Sequence, residues 1–496
     1  MPLNESDKVA HLLRRAGFAA RPEEIERGVA RGLHALADEM VHFERVPDNL
    51  APPPSDQYAS FDFMTLLTQW WLQAMITTTR PLQEKMVLFW HGLFATSAQG
   101  VGDVRQMYLQ NELFRGNFEP DNGQVSRPSP GNPFPVGNFR QMLLYLSKDP
   151  AMGYWLDNRL NRRLNDEVGS NENYARELLE LFSLGVEDVV AKIPNYTEQD
   201  VRQASRALTG WSVRPADPTR PGDYPRMFQF DAAQHDLGPY TVLGVTFRGS
   251  GEQLFDIIVR HRNPGQTQSA CGRFLGYRLF TFFGYDDPEP EIINALADVF
   301  DGRNGEQRYS VRNMLKAIFT PGNLVSEAFY SERAFRAHVK SPTEVLVSAF
   351  RLLRPSGLGE GSDASLQLAL RRMGQALFFP PDVSGWKEGL NWINTTFMLA
   401  RYNFAHDLML NRASETSIDV AGLVRQQNLQ TPEQVVDYFG RLLLQTPLSP
   451  FMRTTLIQYL RSNTYGPFDP THQRTIDNKI RGLIYLIMAT PEFQLS

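Results

Sequence analysis

Apolar residues recur at three- and four-residue spacing along most of the chain, which predicts a mainly α fold. Residues 7–16 and 21–38 make an opening helix pair, the second started by Pro22. Longer helices are expected over 61–76 and 81–94; the latter carries Leu82, Lys85, Met86, Phe89 and Trp90 at helical spacing. Ser341-Pro342-Thr343-Glu344 and Thr431-Pro432-Glu433-Gln434 each combine a capping hydroxyl, proline at the first helical position and Glu or Gln at the third. The least helical stretch is 212–252. There 228–231 and 241–247 are strand candidates, giving a small β hairpin or flap near residues 225–250 on a large multi-helical body. Proline-rich 47–55, Gly/Pro/Asn-rich 116–137 and Gly/Ser-rich 356–363 read as connectors. Helices over 139–146, 311–318 and 480–487, each with an early arginine and a following proline, form a faint repeat without a fixed period. The chain divides into a main helical domain over 1–335, including the β insertion, and a C-terminal helical lobe over 336–496 that is separate from the first or continuous with it.

The densest polar chemistry lies on a helix expected over 173–184. Tyr174, Leu178, Leu181 and Phe182 form its apolar stripe, whereas Asn173, Arg176, Glu177 and Glu180 fall mainly on the other side. Arg176 sits one turn from both Glu172 and Glu180, so carboxylates can bracket it, and Glu177 lacks an intrahelical cation. Gly185 stops the helix and Thr197 caps the next, which runs to about Gly210. Two readings are open. The polar groups form a satisfied network that fixes packing, or Glu177 and Glu180, with an upstream acid such as Asp157, line a cleft in which paired carboxylates divide acid and base work.

Other candidate groups are scattered. His91 is a potential base, ligand or helix-end residue. His235 and Asp236 sit between the strand candidates, as a metal-binding pair or a turn brace. Trp211 and Trp386, with Arg176 and Asn173, are candidate substrate-binding residues. The loop containing Asp382, Trp386, Asn391 and Trp392 has the aromatic and polar mixture that suits a sugar or another polar ligand.

Composition narrows the class. At 496 residues, with 42% hydrophobic and 21% charged residues, the chain is globular. A net charge of -5 and no basic cluster argue against nucleic acid. Cys271 is the only cysteine, so intramolecular disulfides and thiolate metal clusters are excluded. No nucleotide or iron–sulfur cofactor is expected, since phosphate loops and dinucleotide fingerprints are missing. No apolar run is long enough for a transmembrane insertion. The expected location is cytoplasmic as the sequence stands, or exported if a signal segment was removed before numbering.

Several segments resemble a large bacterial family known as domain of unknown function 1800. They are residues 11–18, 85–94, 138–152, 171–177 and 196–211, together with His235-Asp236 and Pro380-Pro381-Asp382-Val383-Ser384-Gly385-Trp386. The resemblance covers nearly the whole chain and implies a predominantly helical bacterial protein without a settled reaction. Relatives often look exported and are encoded near a companion family that resembles phosphatases or sulfatases. Several carry a Trp-His-x-His pattern at Trp90-His91; Leu93 replaces the second histidine here, which weakens a metal reading. The leading expectation is a scaffold or interaction role in an envelope or carbohydrate-related process, with a protein partner or a small polar or carbohydrate ligand. The alternative is a hydrolase acting on a polar substrate, with Glu177 or Glu180 as acid or base and His91 and Asp236 assisting.

Overall fold

The fold is taken from a computed structural model, which describes residues 3–48, 50–51, 63–118, 120, 137–163, 171–215, 226–303, 305–356, 365–411 and 417–496. Most of connector 47–55, nearly all of loop 116–137, loop 356–363 after Ser356 and the first residues of the helix expected from 61 lie outside the described residues. Helices dominate. The opening ones are α1 (Glu5–Arg15), α2 (Pro22–Arg31) and α3 (Leu33–Val41). The helix expected over 21–38 is therefore two: Gly32, at φ 86°, turns the chain between them in a conformation open to glycine. Helices α4 (Met64–Thr77), α5 (Pro81–Leu93) and α6 (Val104–Arg115) come next and pack on one another.

The polar segment forms a hairpin of α7 (Asn173–Glu180) and α8 (Glu198–Ala207). Helix α7 ends at Glu180, before the expected 184, and Gly185 at φ 80° closes the turn. Thr197 caps α8 through a reciprocal box with Asp200. Two antiparallel hairpins come after it. In the first, β1 (Trp211–Pro215) pairs with β2 (Arg226–Phe230), Trp211 opposite Phe230. In the second, β3 (Tyr240–Val242) pairs with β4 (Val245–Phe247). The segment read as one strand over 241–247 thus folds back on itself. Leu243 and Gly244 both have positive φ, 50° and 77°, as a two-residue hairpin turn requires.

Beyond the hairpins lie α9 (Ala270–Phe283), α10 (Pro342–Leu353), α11 (Thr395–Met409), α12 (Pro432–Leu444) and α13 (Arg481–Met488), among other helices. Ser341 and Thr431 form the expected capping boxes at α10 and α12. One hydrophobic cluster runs from Val9 to Phe493. Contacts also cross residue 335: α10 packs on α4, and Arg351 donates to the carbonyls of Met75 and Ile76 at the end of α4. Cys271 is buried, and burial pushes its thiol well above its ordinary pKa. Among the described residues no helix is long and apolar enough to cross a membrane.

Candidate functional site

On α7 most of the polar groups have partners. Arg176 grips Glu198 through two parallel hydrogen bonds, 2.7 and 2.8 Å, and reaches Glu172 at 3.4 Å. The hydroxyl of Tyr196 donates to Glu180 at 3.1 Å. Asn173 donates through Nδ2 to the Leu156 carbonyl at 3.3 Å. Asp157 lies 3.7 Å from Arg159. Glu177 is half-buried and, among the described residues, its side chain makes no hydrogen bond; burial and then the charge of Glu180 raise its pKa, against the pull of Arg176.

His235 and Asp236 brace the β insertion. The two ring nitrogens of His235 lie 2.7 and 2.8 Å from the carbonyls of Thr209 and Gly249. Asp236 accepts two bonds from Arg206, at 2.9 and 3.2 Å, and one from the Gly238 amide at 2.8 Å. Burial opposes its ionisation, but these donors outweigh it and hold the carboxyl below its ordinary pKa. Trp211 is buried, donates to the Ser250 carbonyl at 2.7 Å and packs on Phe228 and Phe255. Among the described residues no group of three or more His, Cys, Asp or Glu side chains is arranged to hold a metal.

His91 points into the core near the end of α5. Its Nε2 accepts a 3.0 Å bond from the Phe378 amide, and its ring packs on Trp71, Phe378 and Trp386 at 5.0, 5.3 and 5.4 Å. Burial lowers its pKa to about 3, so it is neutral near pH 7. Among the described residues no hydrogen bond, ion pair or ring contact joins it to Glu177, Glu180 or Asp236. The histidine instead holds the segment around residues 378–386 against α5. The next residue, Gly92, completes that junction: a Cβ on Gly385, at φ 78°, would lie 2.5 Å from the Gly92 carbonyl oxygen. Two segments far apart in the chain, one ending α5 and one ending at Trp386, thereby pack with their backbones in close approach.

This junction forms one wall of a cleft of about 460 Å3, lined by Gly92, Arg278, Asp286, His338, Trp386 and Glu388 among others. Arg278 projects from α9, Asp286 follows the end of that helix, and Glu388 follows Trp386. The two acidic loops meet closely: Asp286 Oδ2 would be 3.2 Å from a Cβ on Gly389, and Glu388 Oε1 3.8 Å from one on Gly92. Among the described residues the side chains of Arg278, Asp286 and Glu388 make no hydrogen bond to protein. Glu388 and Asp286 are both exposed residues that line the recess. Desolvation raises the Glu388 pKa, Arg278 opposes the rise, and Glu344 and Asp286 reinforce it. The Asp286 carboxyl is raised by burial and by Asp287, with Arg15 acting against them.

Beneath the cleft lies a buried charge network. Glu344 on α10 receives the ammonium of Lys85 from α5, His338 at 3.1 Å and the Ser341 amide at 2.7 Å. Burial works against the Glu344 carboxylate, but Lys85 and His338 hold it well below the usual carboxylate range. Burial, with Arg15 nearby, lowers His338 to about 4. A neutral imidazole facing an ionised carboxylate carries its proton on Nε2, which leaves Nδ1 as the acceptor. Arg15, fully buried on α1, donates to the carbonyls of Phe283 and Phe282 at 2.7 and 2.6 Å, fixing the end of α9 where Asp286 begins its loop.

Of the residues singled out in the sequence, the structure brings His91 and Trp386 together and places Trp386 in the cleft. Arg278, Asp286, His338 and Glu388 were not singled out. The available signals were a lysine, Lys85, within an otherwise apolar helix face, and an acid, Glu388, two residues beyond the Pro-Pro-Asp-Val-Ser-Gly-Trp segment.

The sequence profile of the family described as Protein of unknown function (DUF1800) matches residues 11–495. The chain belongs to the DUF1800 family. The match takes in both halves of the cleft, from α5 to the loop carrying Glu388. No curated protein and no solved structure matches this DUF1800 chain.

Proposed function

We propose that this DUF1800 protein is a helical binding protein whose cleft beside α9 takes a small polar ligand. The observation that carries the reading is the state of Arg278, Asp286 and Glu388. Three charged side chains share one recess, and among the described residues none is hydrogen-bonded to protein. Folded proteins pair the charges they bury; the two acids here are exposed, and charges left to water in a recess are ready to exchange that water for ligand groups. Trp386 adds an apolar surface, and the volume suits a small molecule. An interaction role in an envelope or carbohydrate-related process would act through this occupant. The test is a thermal-shift screen with neutral oligosaccharides, dipeptides and sugar phosphates. Compounds that raise Tm in the unaltered protein are expected to lose their effect in Arg278→Ala and Trp386→Ala. Shifts that survive both substitutions would remove the cleft from consideration.

A second reading, hydrolysis of a polar substrate, is favoured by the presence of Asp286 and Glu388 in the same recess. Both carboxyls are raised, which prolongs the protonated form that a general acid needs. Release of 4-nitrophenol from 4-nitrophenyl glycosides, esters or phosphates, lost in Glu388→Gln with the fold retained, would support it. An inactive unaltered protein across all three classes would remove it and leave the binding role in place.

A further inference from the structure

The charges in the cleft specify more than polarity, and a ligand inferred from them rests on the proposed binding role. Neutral polyols would make no charge-assisted contact with Arg278, Asp286 or Glu388. A simple anion suits Arg278 and Lys387 but faces Asp286, Asp287 and Glu388, all of which line the same recess. A simple cation has the opposite difficulty, because Arg278 would be left beside it without an acceptor. The two signs come from different elements: Arg278 lies on α9, Asp286 just after its end, and Glu388 on the loop packed against Gly92.

We infer that the ligand is a small zwitterion of dipeptide size, its ammonium between Asp286 and Glu388 and its carboxylate on Arg278. Each contact is then a charge-assisted hydrogen bond, and the guanidinium can take a carboxylate through two parallel N–H donors. The three acids that line the recess, Asp286, Asp287 and Glu388, outnumber its two basic side chains, Arg278 and Lys387, so an ammonium balances the excess. Trp386 covers the carbon skeleton between the two charged ends. No covalent step is required.

Isothermal titration of the full chain with L-alanyl-L-alanine, its N-acetyl form, its C-terminal amide and maltotriose separates the possibilities. The free dipeptide is expected to bind at least about tenfold more tightly than either capped form, since each cap removes one charge-assisted contact. Glu388→Gln should weaken the free and amide forms, which carry the ammonium, and spare the acetylated one. Arg278→Ala should weaken the free and acetylated forms and spare the amide. Equal binding of free and capped dipeptides, or no dipeptide binding at all, would overturn the zwitterion. Maltotriose binding that depends on Trp386, without dipeptide binding, would overturn it while leaving the cleft's binding role standing. Circular dichroism and urea midpoints on both variants exclude unfolding as the cause of any loss.

Discussion

Helix α7 and the cleft beside α9 are both rich in charge, and they treat it in opposite ways. On α7, Arg176 is gripped by Glu198 and Glu180 is engaged by Tyr196, so most of the dense polar face is spent on itself; Glu177 is the exception. In the cleft, the side chains of Arg278, Asp286 and Glu388 make no hydrogen bond to protein among the described residues, above a network in which Lys85, His338 and Glu344 satisfy one another. Density of polar residues is therefore a poor guide to a site. Unsatisfied charge held in a recess by a satisfied foundation is a better one.

The contrast can be broken first at that foundation. Glu344→Ala leaves the Lys85 ammonium buried without a counter-charge, and a loss of about 3–5 kcal/mol in urea unfolding is expected. A loss below about 1 kcal/mol would show that the network does not hold the cleft floor. Next comes the junction: Gly385→Ala places a Cβ against the Gly92 carbonyl in a left-handed backbone conformation, and should cost about 1–3 kcal/mol. It should also weaken ligand binding in the cleft, which a purely local defect would not do.

Acid titration sharpens the role of His91. Its folded pKa of about 3 lies below the ordinary histidine value of 6.5, so between these values the unfolded chain binds the extra proton. Its contribution is present above about pH 6.5 and is lost as pH falls toward 3, and His338, lowered to about 4, acts in the same direction. His91→Gln is expected to flatten this acid limb in a series of urea midpoints; an unchanged slope would contradict the buried neutral imidazole. The smallest effect belongs to α7. Arg176→Ala breaks a solvent-exposed pair and should leave the urea midpoint within experimental scatter, since exposed ion pairs contribute little.

Much of the fold was legible because its signals are local. Ser341, Thr431 and Thr197 announce their helices within three residues, and the apolar stripe of α7 follows from spacing alone. The break at Gly32 and the reversal at Leu243-Gly244 were missed because hydrophobic periodicity continues across both, while backbone handedness does not. The cleft was largely hidden for a different reason. Glu344 reads as a capping-box acid, which it is, but another of its partners, Lys85, lies 259 residues away. Asp286 and Glu388 are ordinary loop acids until tertiary packing closes their loops together. His91 and Trp386 could be singled out as chemistry-bearing types; that one supports the other required the fold.

The most direct test of the cleft's role is a thermal-shift titration with the dipeptide and oligosaccharide probes, comparing Arg278→Ala with Glu177→Gln. Neither side chain makes a hydrogen bond within the described protein, so both variants are expected to fold. The compound that stabilises the unaltered protein is expected to stabilise Glu177→Gln equally and to fail with Arg278→Ala. Stabilisation that persists in Arg278→Ala and disappears in Glu177→Gln would contradict the cleft's role and return the site to α7.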